Sequence, residues 1–174
     1  MSMFNRWLIT LLYLTAGTTL QAGEGPSLGT PLSAGEVAAA DITVMPDGEG
    51  LPTGSGTAKT GTSVYLANCM ACHGEKGTGG INDTLVGGHG SLTSDRPQKT
   101  IGSFWPYATT LFDYVRRAMP YQTPGSLAND EIYAVTAYLL YLNDIIDQDK
   151  ELNAETLPEV KMPNHDNFVW AYSP

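Results

Sequence analysis

Cysteine is scarce in this chain, whose 174 residues contain only Cys69 and Cys72. Both lie in the stretch NCMACHG, residues 68 to 74, three positions apart and directly before His73. The entire supply of thiols is therefore placed on one turn of backbone. Three kinds of site use two cysteines at this spacing: a disulfide, a metal site, or a covalent anchor for a cofactor.

Basic residues are also few, with 9 lysines and arginines against 18 aspartates and glutamates, a formal net charge of −9. An acidic surface argues against a nucleic-acid-binding protein and against binding to anionic lipid, because both ligands are themselves negative. The charge is compatible with docking on a basic patch of a partner protein.

Long apolar runs are missing after residue 22, so no later segment reaches the roughly 20 residues that a membrane-spanning helix needs. The N-terminus has Arg6, then the apolar stretch Trp7 to Leu14, then the small and polar stretch Thr15 to Ala22. This layout predicts a secretory signal peptide over residues 1–22 and export to the periplasm. The alternative is an uncleaved N-terminal anchor, for which the apolar stretch is short.

Strand patterns and internal repeats are absent, and the sequence predicts an all-α fold in one domain, residues 58–143. Residues 23–57 are rich in Gly, Pro, Ser and Thr and predict a flexible arm, with Ile42, Val44 and Leu51 as tethers. Residues 144–174 predict an irregular extension that packs on the domain or on a partner.

Three helices are predicted, over Thr60 to Cys69, Tyr107 to Ala118 and Asp130 to Leu142. Thr60 or Thr62 is expected to cap the first helix. Between the first two helices, residues 77–106 predict a long loop with turns. Such a loop is uncommon in a compact domain unless it is functional, and wrapping a large planar cofactor is one such function.

The third helix has the clearest pattern. Asn129 is expected to cap it, and Asp130 and Glu131 place negative charge in its first turn. Its apolar stripe is formed by Ile132, Val135, Leu139 and Leu142.

Two interpretations of NCMACHG have weak support. A redox-active disulfide at a CxxC motif normally accompanies a βαβ pattern, which this chain lacks. Structural zinc needs four protein ligands, so Cys69, Cys72 and His73 would need His89 or His165 as the fourth. Adjacent cysteine and histidine ligands are unusual for zinc.

The third interpretation is favoured, because CxxCH is the attachment pattern of c-type haem. Two thiols three positions apart can each form a thioether to one vinyl group at the haem edge. His73 then lies on the iron axis as the proximal ligand. A predicted signal peptide agrees with this, since haem attachment of this type occurs outside the cytoplasm. We therefore expect one covalent haem c.

The second axial ligand decides between electron transfer and gas binding or catalysis. Met119, in RRAMPYQTPG, follows a helix and precedes a loop, which favours it as the ligand on the face opposite His73. Met162, in VKMPN, is the second candidate, and His89 is a weaker one. We expect a cavity between His73 and Met119; the alternative for either methionine is an ordinary core residue.

Further contacts with the haem are less specific. Trp105, Tyr107 and Arg96 are candidates for the haem edge or its propionates. Pocket lining is expected from Tyr65, Ile132, Val135 and Leu139, which can equally bury helix against helix.

The order helix, CxxCH, long loop, helix, Met-Pro, helix resembles class I cytochrome c over about residues 58–143. The resemblance implies His73 and Met119 as iron ligands. The stretch TIGSFWPYATTLFDYVRRAMPYQTPGSLANDEIYAVTAYLLYLN, followed by LPEVKMPN, is similar to the cytochrome subunits of molybdenum-dependent sulfite and sulfur dehydrogenases. This likeness runs from about Gly50 to Asn167 and is most specific over residues 104–127.

That closer resemblance implies a function and partners. In that family a molybdenum subunit oxidises sulfite or a bound sulfur species, and the haem subunit passes its electrons on one at a time to other cytochromes. We expect the same partners here, a molybdenum dehydrogenase and a downstream cytochrome or oxidase, with no substrate site in this chain. The alternatives are an electron shuttle for another periplasmic dehydrogenase, a five-coordinate haem enzyme or gas sensor, and a haem-free thiol oxidoreductase.

Overall fold

The computed structural model describes residues 28–169 and 171. The predicted signal peptide, residues 1–22, lies outside the described residues. The chain divides into two units, of which the first ends at Ala38 and the second begins at Ala39. Helix α1 (Ala34–Ala40) includes this boundary, and none of its residues is buried. Within the described residues, no helix has both the length and the apolar character needed to cross a membrane.

The second unit is helical, as the sequence predicts, with one very small sheet. Its elements in chain order are β1 (Ser55–Gly56), α2 (Ala58–Asn68), α3 (Met70–His73), α4 (Ala108–Ala118), α5 (Asn129–Leu142) and β2 (Leu152–Asn153). The two strands pair antiparallel, with Ser55 opposite Asn153 and Gly56 opposite Leu152. The sequence did not predict this pairing, because two residues cannot show the alternation that marks a strand.

Helix α2 begins earlier than predicted. Thr57 is its N-cap: the Thr57 hydroxyl accepts from the Thr60 backbone N–H, and the Thr60 hydroxyl accepts from the Thr57 N–H. This is a capping box, in which the third helical residue returns the hydrogen bond of the cap. The prediction that Thr60 or Thr62 is the cap is therefore wrong.

Helix α5 begins one residue before the prediction, and its predicted cap is also wrong. Ala128 is the N-cap, and its backbone N–H donates to the Glu131 carboxylate at 2.8 Å. The Asn129 side chain instead donates to the Thr53 carbonyl at 3.1 Å. The Asn129 amide, which the sequence predicts to cap the helix, makes a tertiary contact instead.

The crossing of α2 and α5 is the centre of the fold. A Cβ atom built at Gly61 would clash with the Ala134 carbonyl and press on the Tyr138 Cβ atom, so the two backbones approach more closely than any larger residue allows. One turn later the Tyr65 and Tyr138 rings pack with their centroids 5.3 Å apart. Tyr65 is fully buried. This crossing fixes the end of α2, where the two cysteines begin.

Residues 42–57 differ from the flexible arm that their composition predicts. Val44 is buried, and its backbone N–H donates to the Asp113 carboxylate at 3.1 Å. The Tyr133 hydroxyl donates to the Pro52 carbonyl at 2.9 Å. These tertiary contacts satisfy the backbone polar groups that a Gly- and Pro-rich segment cannot pair by itself.

The segment after α5 completes the core. Leu152, Leu157 and Met162 are each at most 1% exposed and belong to the same hydrophobic cluster as Tyr65 and Tyr133. Apart from β2 and a 3-10 turn at His165–Asn167, the described part of the extension is irregular in backbone, yet it contributes three of the most deeply buried side chains.

Candidate haem site

One cavity of about 310 Å³ brings the chemically informative residues together. Cys69, Cys72, His73 and Met119 all line it. The walls are largely apolar and come from the loop after His73, the loop before α4, α4 itself and α5. The lining residues from these walls include Leu85, Thr100, Ile101, Trp105, Tyr114, Val115, Leu127, Val135 and Leu139. Small-molecule sites commonly enclose 300–1,000 Å³.

The two cysteines sit on a single turn between α2 and Gly74. The backbone N–H groups of Cys72 and His73 both donate to the Cys69 carbonyl, at 3.1 and 3.0 Å. Gly74 then leaves the helix with φ +76°, and a side chain there would collide with the Gly79 carbonyl. Both cysteines are half-buried, and they form no disulfide with each other. Burial, followed by the proximity of Cys72, raises the pKa of Cys69 to about 11, as expected for an apolar wall.

The imidazole of His73 is oriented by the backbone. Its Nδ1 lies 2.9 Å from the Asp83 carbonyl oxygen. Because a carbonyl only accepts hydrogen bonds, this contact assigns the proton to Nδ1 and leaves the lone pair on Nε2. A partner of this kind on the second ring nitrogen is what fixes the tautomer and the ring plane of metal-binding histidines.

The loop after His73 is tied down by three hydrogen bonds. The Tyr65 hydroxyl donates to the Gly74 carbonyl at 2.8 Å. The Gly79 N–H donates to the His73 carbonyl at 2.9 Å, and the Asn82 N–H donates to the Cys72 carbonyl at 3.0 Å. Burial raises the pKa of the Tyr65 phenol to about 12, so it remains a neutral donor at physiological pH.

Met119 ends α4 on a different wall of the same cavity. Its backbone N–H donates to the Val115 carbonyl at 3.1 Å, while its own φ and ψ are already extended. The side chain is half-buried and lines the cavity. Met162, the second candidate, is 1% exposed in the hydrophobic core and is absent from the cavity wall. The structure thus separates two methionines that the sequence presents alike.

The three less specific candidates for haem contacts also divide into residues that line the cavity and residues that do not. Trp105 lines the cavity and packs edge-on against Tyr114, with ring centroids 5.7 Å apart. Tyr107 instead packs against His165, at 5.2 Å, beside a separate hollow. Arg96 is exposed and does not line the cavity. Sequence reasoning did not identify Lys99, which does line it.

The remaining predicted residues also have defined places. Val135 and Leu139 line the cavity, whereas Tyr65 and Ile132 are buried in the core beside it. His89 is exposed and lines another hollow, with Phe104 and Phe168. Within residues 28–169, no group of three or more His, Cys, Asp and Glu side chains is arranged to hold a metal ion. The four-ligand zinc site is therefore not assembled by these residues.

Comparisons with known proteins agree with this geometry. The cytochrome c family model matches residues 58–143. A chain in the crystal structure of the sulfane dehydrogenase SoxCD from Paracoccus pantotrophus is 44% identical, with a TM-score of 0.76. The similarity covers 82% of this chain and 71% of that chain. The search of curated proteins found no match.

The chain belongs to the cytochrome c family. Its helical fold is that of a class I cytochrome c, as predicted, and its role is that of a haem electron carrier. Family membership implies covalently bound haem c. The cavity fits that group, because two thiols, an oriented imidazole and a thioether converge on one apolar space.

The part of the cavity wall that contains Leu85 depends on Asn143 in this cytochrome c. This side chain is 1% exposed at the end of α5. Its carboxamide oxygen accepts from the Gly87 N–H at 3.0 Å, and its amide nitrogen donates to the Leu85 and Leu139 carbonyls at 3.3 and 2.9 Å. One amide therefore joins α5 to the loop that carries Leu85 into the cavity wall.

We expect Asn143→Ala to lower the free energy of unfolding by about 3 kcal/mol, since it leaves the part-buried Gly87 N–H and Leu85 carbonyl without this partner and removes a fully buried amide. Urea denaturation of the haem-loaded protein, followed by far-ultraviolet circular dichroism, measures the change. Asn68→Ala is the matched control, because that amide is exposed and, among the described residues, bonds the Val64 carbonyl of its own helix and no other group. Equal losses for the two variants would contradict the role of Asn143.

Proposed function

We propose that this cytochrome c is an exported, single-haem electron carrier that serves a molybdenum-dependent sulfite or sulfur dehydrogenase. The similarity to a chain of the sulfane dehydrogenase SoxCD, at 44% identity over 82% of this chain, carries the proposal. The predicted signal peptide supports a periplasmic location. In this proposal the protein passes electrons onward to a downstream cytochrome or oxidase and has no substrate site of its own.

In the proposed holoprotein, Cys69 and Cys72 would hold the haem through thioether bonds, and His73 and Met119 would ligate its iron. When bound, haem supplies a one-electron ferric/ferrous couple. A histidine–methionine ligand pair raises the reduction potential relative to harder ligands. A raised reduction potential suits a protein that accepts electrons from a dehydrogenase.

Each ligand is prepared by a neighbouring element of the chain. The Asp83 carbonyl holds His73 in the tautomer with a free Nε2 lone pair. The end of α4 presents the Met119 thioether from extended backbone, and Pro120 behind it is buried. Val115, Val135 and Leu139 give the same cavity an apolar wall, and the hydrophobic surroundings of such a site help to set its reduction potential.

The edge of the cavity is accessible to a partner protein. Tyr121, two residues after Met119, lines the cavity and is 77% exposed, and Tyr114 is 45% exposed. One electron enters from the donor enzyme and one leaves to the acceptor in each cycle. A two-electron oxidation of a sulfur substrate therefore needs two successive transfers through this carrier.

The proposal is tested with the purified haem-loaded protein and a purified molybdenum sulfite or sulfur dehydrogenase. We expect sulfite or a sulfane-sulfur substrate to reduce the haem only when both proteins are present, as measured by the ferrous absorption bands. The control omits the substrate and keeps both proteins. No substrate-dependent reduction would contradict the sulfur role. Reduction by several unrelated periplasmic dehydrogenases at similar rates would favour the general shuttle.

Export is tested separately. In cells that express the full chain, we expect the haem-containing form in the periplasmic extract, with an N-terminus near Gly23. A haem protein that stays with the membrane and keeps residues 1–22 would favour the uncleaved anchor.

A further inference from the structure

We infer that Lys99 is the counter-ion of a haem propionate in this cytochrome c. The inference rests on the proposed attachment of haem at Cys69 and Cys72. It assigns to Lys99 the role that the sequence suggested for Arg96.

Charge along the cavity wall singles out this residue. Lys99 is the one lysine or arginine among the described residues that line the cavity. Arg96, three residues earlier, is exposed and lies outside the lining, and the hydrogen bond it makes comes from its backbone N–H to the Ser94 hydroxyl. Although Arg96 is close to Lys99 in the sequence, its side chain is not part of the cavity wall.

The chemistry of haem sets where an anion must be. The thioethers form at the ring edge that bears the vinyl groups, and the two propionates extend from the opposite edge. Attachment at Cys69 and Cys72 consequently directs the propionates toward lining residues outside the CxxCH turn. Lys99 belongs to that part of the wall, on the segment that also supplies Thr100, Ile101 and Trp105.

Lys99 is exposed, like Arg96, but its ammonium has an aromatic neighbour and no acidic partner among the described residues. Its Nζ lies 5.0 Å from the centroid of the Phe104 ring, within the range of a cation–π contact. Among the described residues, no carboxylate lies within 4.0 Å of it. An aromatic face attracts the cation but accepts no full set of hydrogen bonds, so the N–H donors remain available to a carboxylate.

The C-terminal extension supports this arrangement from behind. The Asn164 side chain donates to the Phe104 carbonyl at 2.8 Å, and the Phe168 ring packs edge-on against Phe104 with centroids 5.5 Å apart. These two contacts fix the position of the Phe104 ring, against which the Lys99 ammonium lies. This gives the segment after α5 a role at the cofactor in addition to its role in the core.

Other ionisable groups at the cavity do not offer the same pairing. Asp83 would repel a propionate, and its carbonyl is occupied by His73. Tyr114 and Tyr121 also line the cavity and can add hydrogen bonds through their hydroxyls, but a tyrosine brings no positive charge.

The test is a charge series at one position, read as the midpoint potential of the purified haem protein. A nearby cation destabilises the ferric form more than the ferrous form. We therefore expect the potential to fall in Lys99→Gln and to fall further in Lys99→Glu, while Lys99→Arg stays near wild type. Raising the salt concentration is expected to shrink these differences. The matched control, Arg96→Gln, removes the same charge three residues away and is expected to leave the potential unchanged.

A second readout reports contact directly. The proton resonances of the propionate methylene groups are expected to shift in Lys99→Gln and to stay in place in Arg96→Gln. Equal effects of the two glutamine variants, or an effect of Arg96→Gln alone, would overturn the assignment. These measurements need no dehydrogenase, so the sulfite assay fails or succeeds independently of them. Absence of covalent haem in the wild-type protein would instead count against the proposed function.

Discussion

Met119→Leu is expected to abolish the long-wavelength methionine–iron band of the oxidised protein and to open the sixth position to carbon monoxide in the reduced protein. Leucine keeps the volume and apolar character of the side chain but lacks the thioether sulfur. The loss should therefore report the ligand and not a collapsed cavity. The midpoint potential should also fall, because a thioether ligand stabilises the ferrous state.

Met162→Leu is the matched control for this experiment. Met162 has the same Met-Pro context as Met119 but is 1% exposed in the core, away from the cavity wall. We expect Met162→Leu to keep the band and the potential and to change the free energy of unfolding by less than about 1.5 kcal/mol. A lost band in Met162→Leu, with the band retained in Met119→Leu, would reverse the ligand assignment. Rapid carbon monoxide binding by the wild-type protein would favour the five-coordinate alternative.

Gly61→Ala is expected to lower the free energy of unfolding by about 3 kcal/mol, although alanine is the better helix former. A single added methyl group would collide with the Ala134 carbonyl and press on the Tyr138 Cβ atom. Relief of this overlap requires α2 and α5 to move apart along the crossing that also holds Tyr65. Urea denaturation monitored by far-ultraviolet circular dichroism measures the loss.

Gly35→Ala is the matched control, since Gly35 is also a helical glycine and a Cβ atom there meets nothing within 4 Å. We expect this variant to leave the unfolding midpoint of the second unit unchanged. Cys69 directly follows the last residue of α2, so a shift of this helix would also move the proposed haem attachment site. Gly61→Ala is therefore further expected to lower the yield of haem-loaded protein. Equal stability of the two alanine variants would show that the helix crossing tolerates the methyl group.

The segment before residue 58 shows why composition is a poor guide to tertiary contacts. Residues 42–57 have few large apolar side chains, which predicts a flexible arm. In the fold, their backbone groups bond side chains from distant helices, as Val44 does with Asp113 and Pro52 does with Tyr133. These partners lie 69 and 81 residues away along the sequence, so no local pattern can predict them.

The sequence by itself determined the cofactor class and the helical fold. Both follow from local chemistry: CxxCH needs two thiols and an imidazole on one turn, and apolar spacing along α4 and α5 reads directly as helix. The predicted bounds of the helices were close, and the errors lay at their caps. At the first helix, Thr57 forms a local capping box with Thr60, which starts the helix earlier than predicted, whereas the Asn129 amide bonds Thr53, a residue that lies far away in the sequence.

Only the tertiary structure decided which of several equivalent residues reaches the cavity. Met119 and Met162 share a Met-Pro context, and Arg96 and Lys99 share a charge, but one member of each pair lines the cavity and the other does not. Which residues line the cavity depends on how α4, α5 and the loop that Asn143 bonds pack around it. That closure is a property of long-range packing, which the spacing of residues along the chain does not encode.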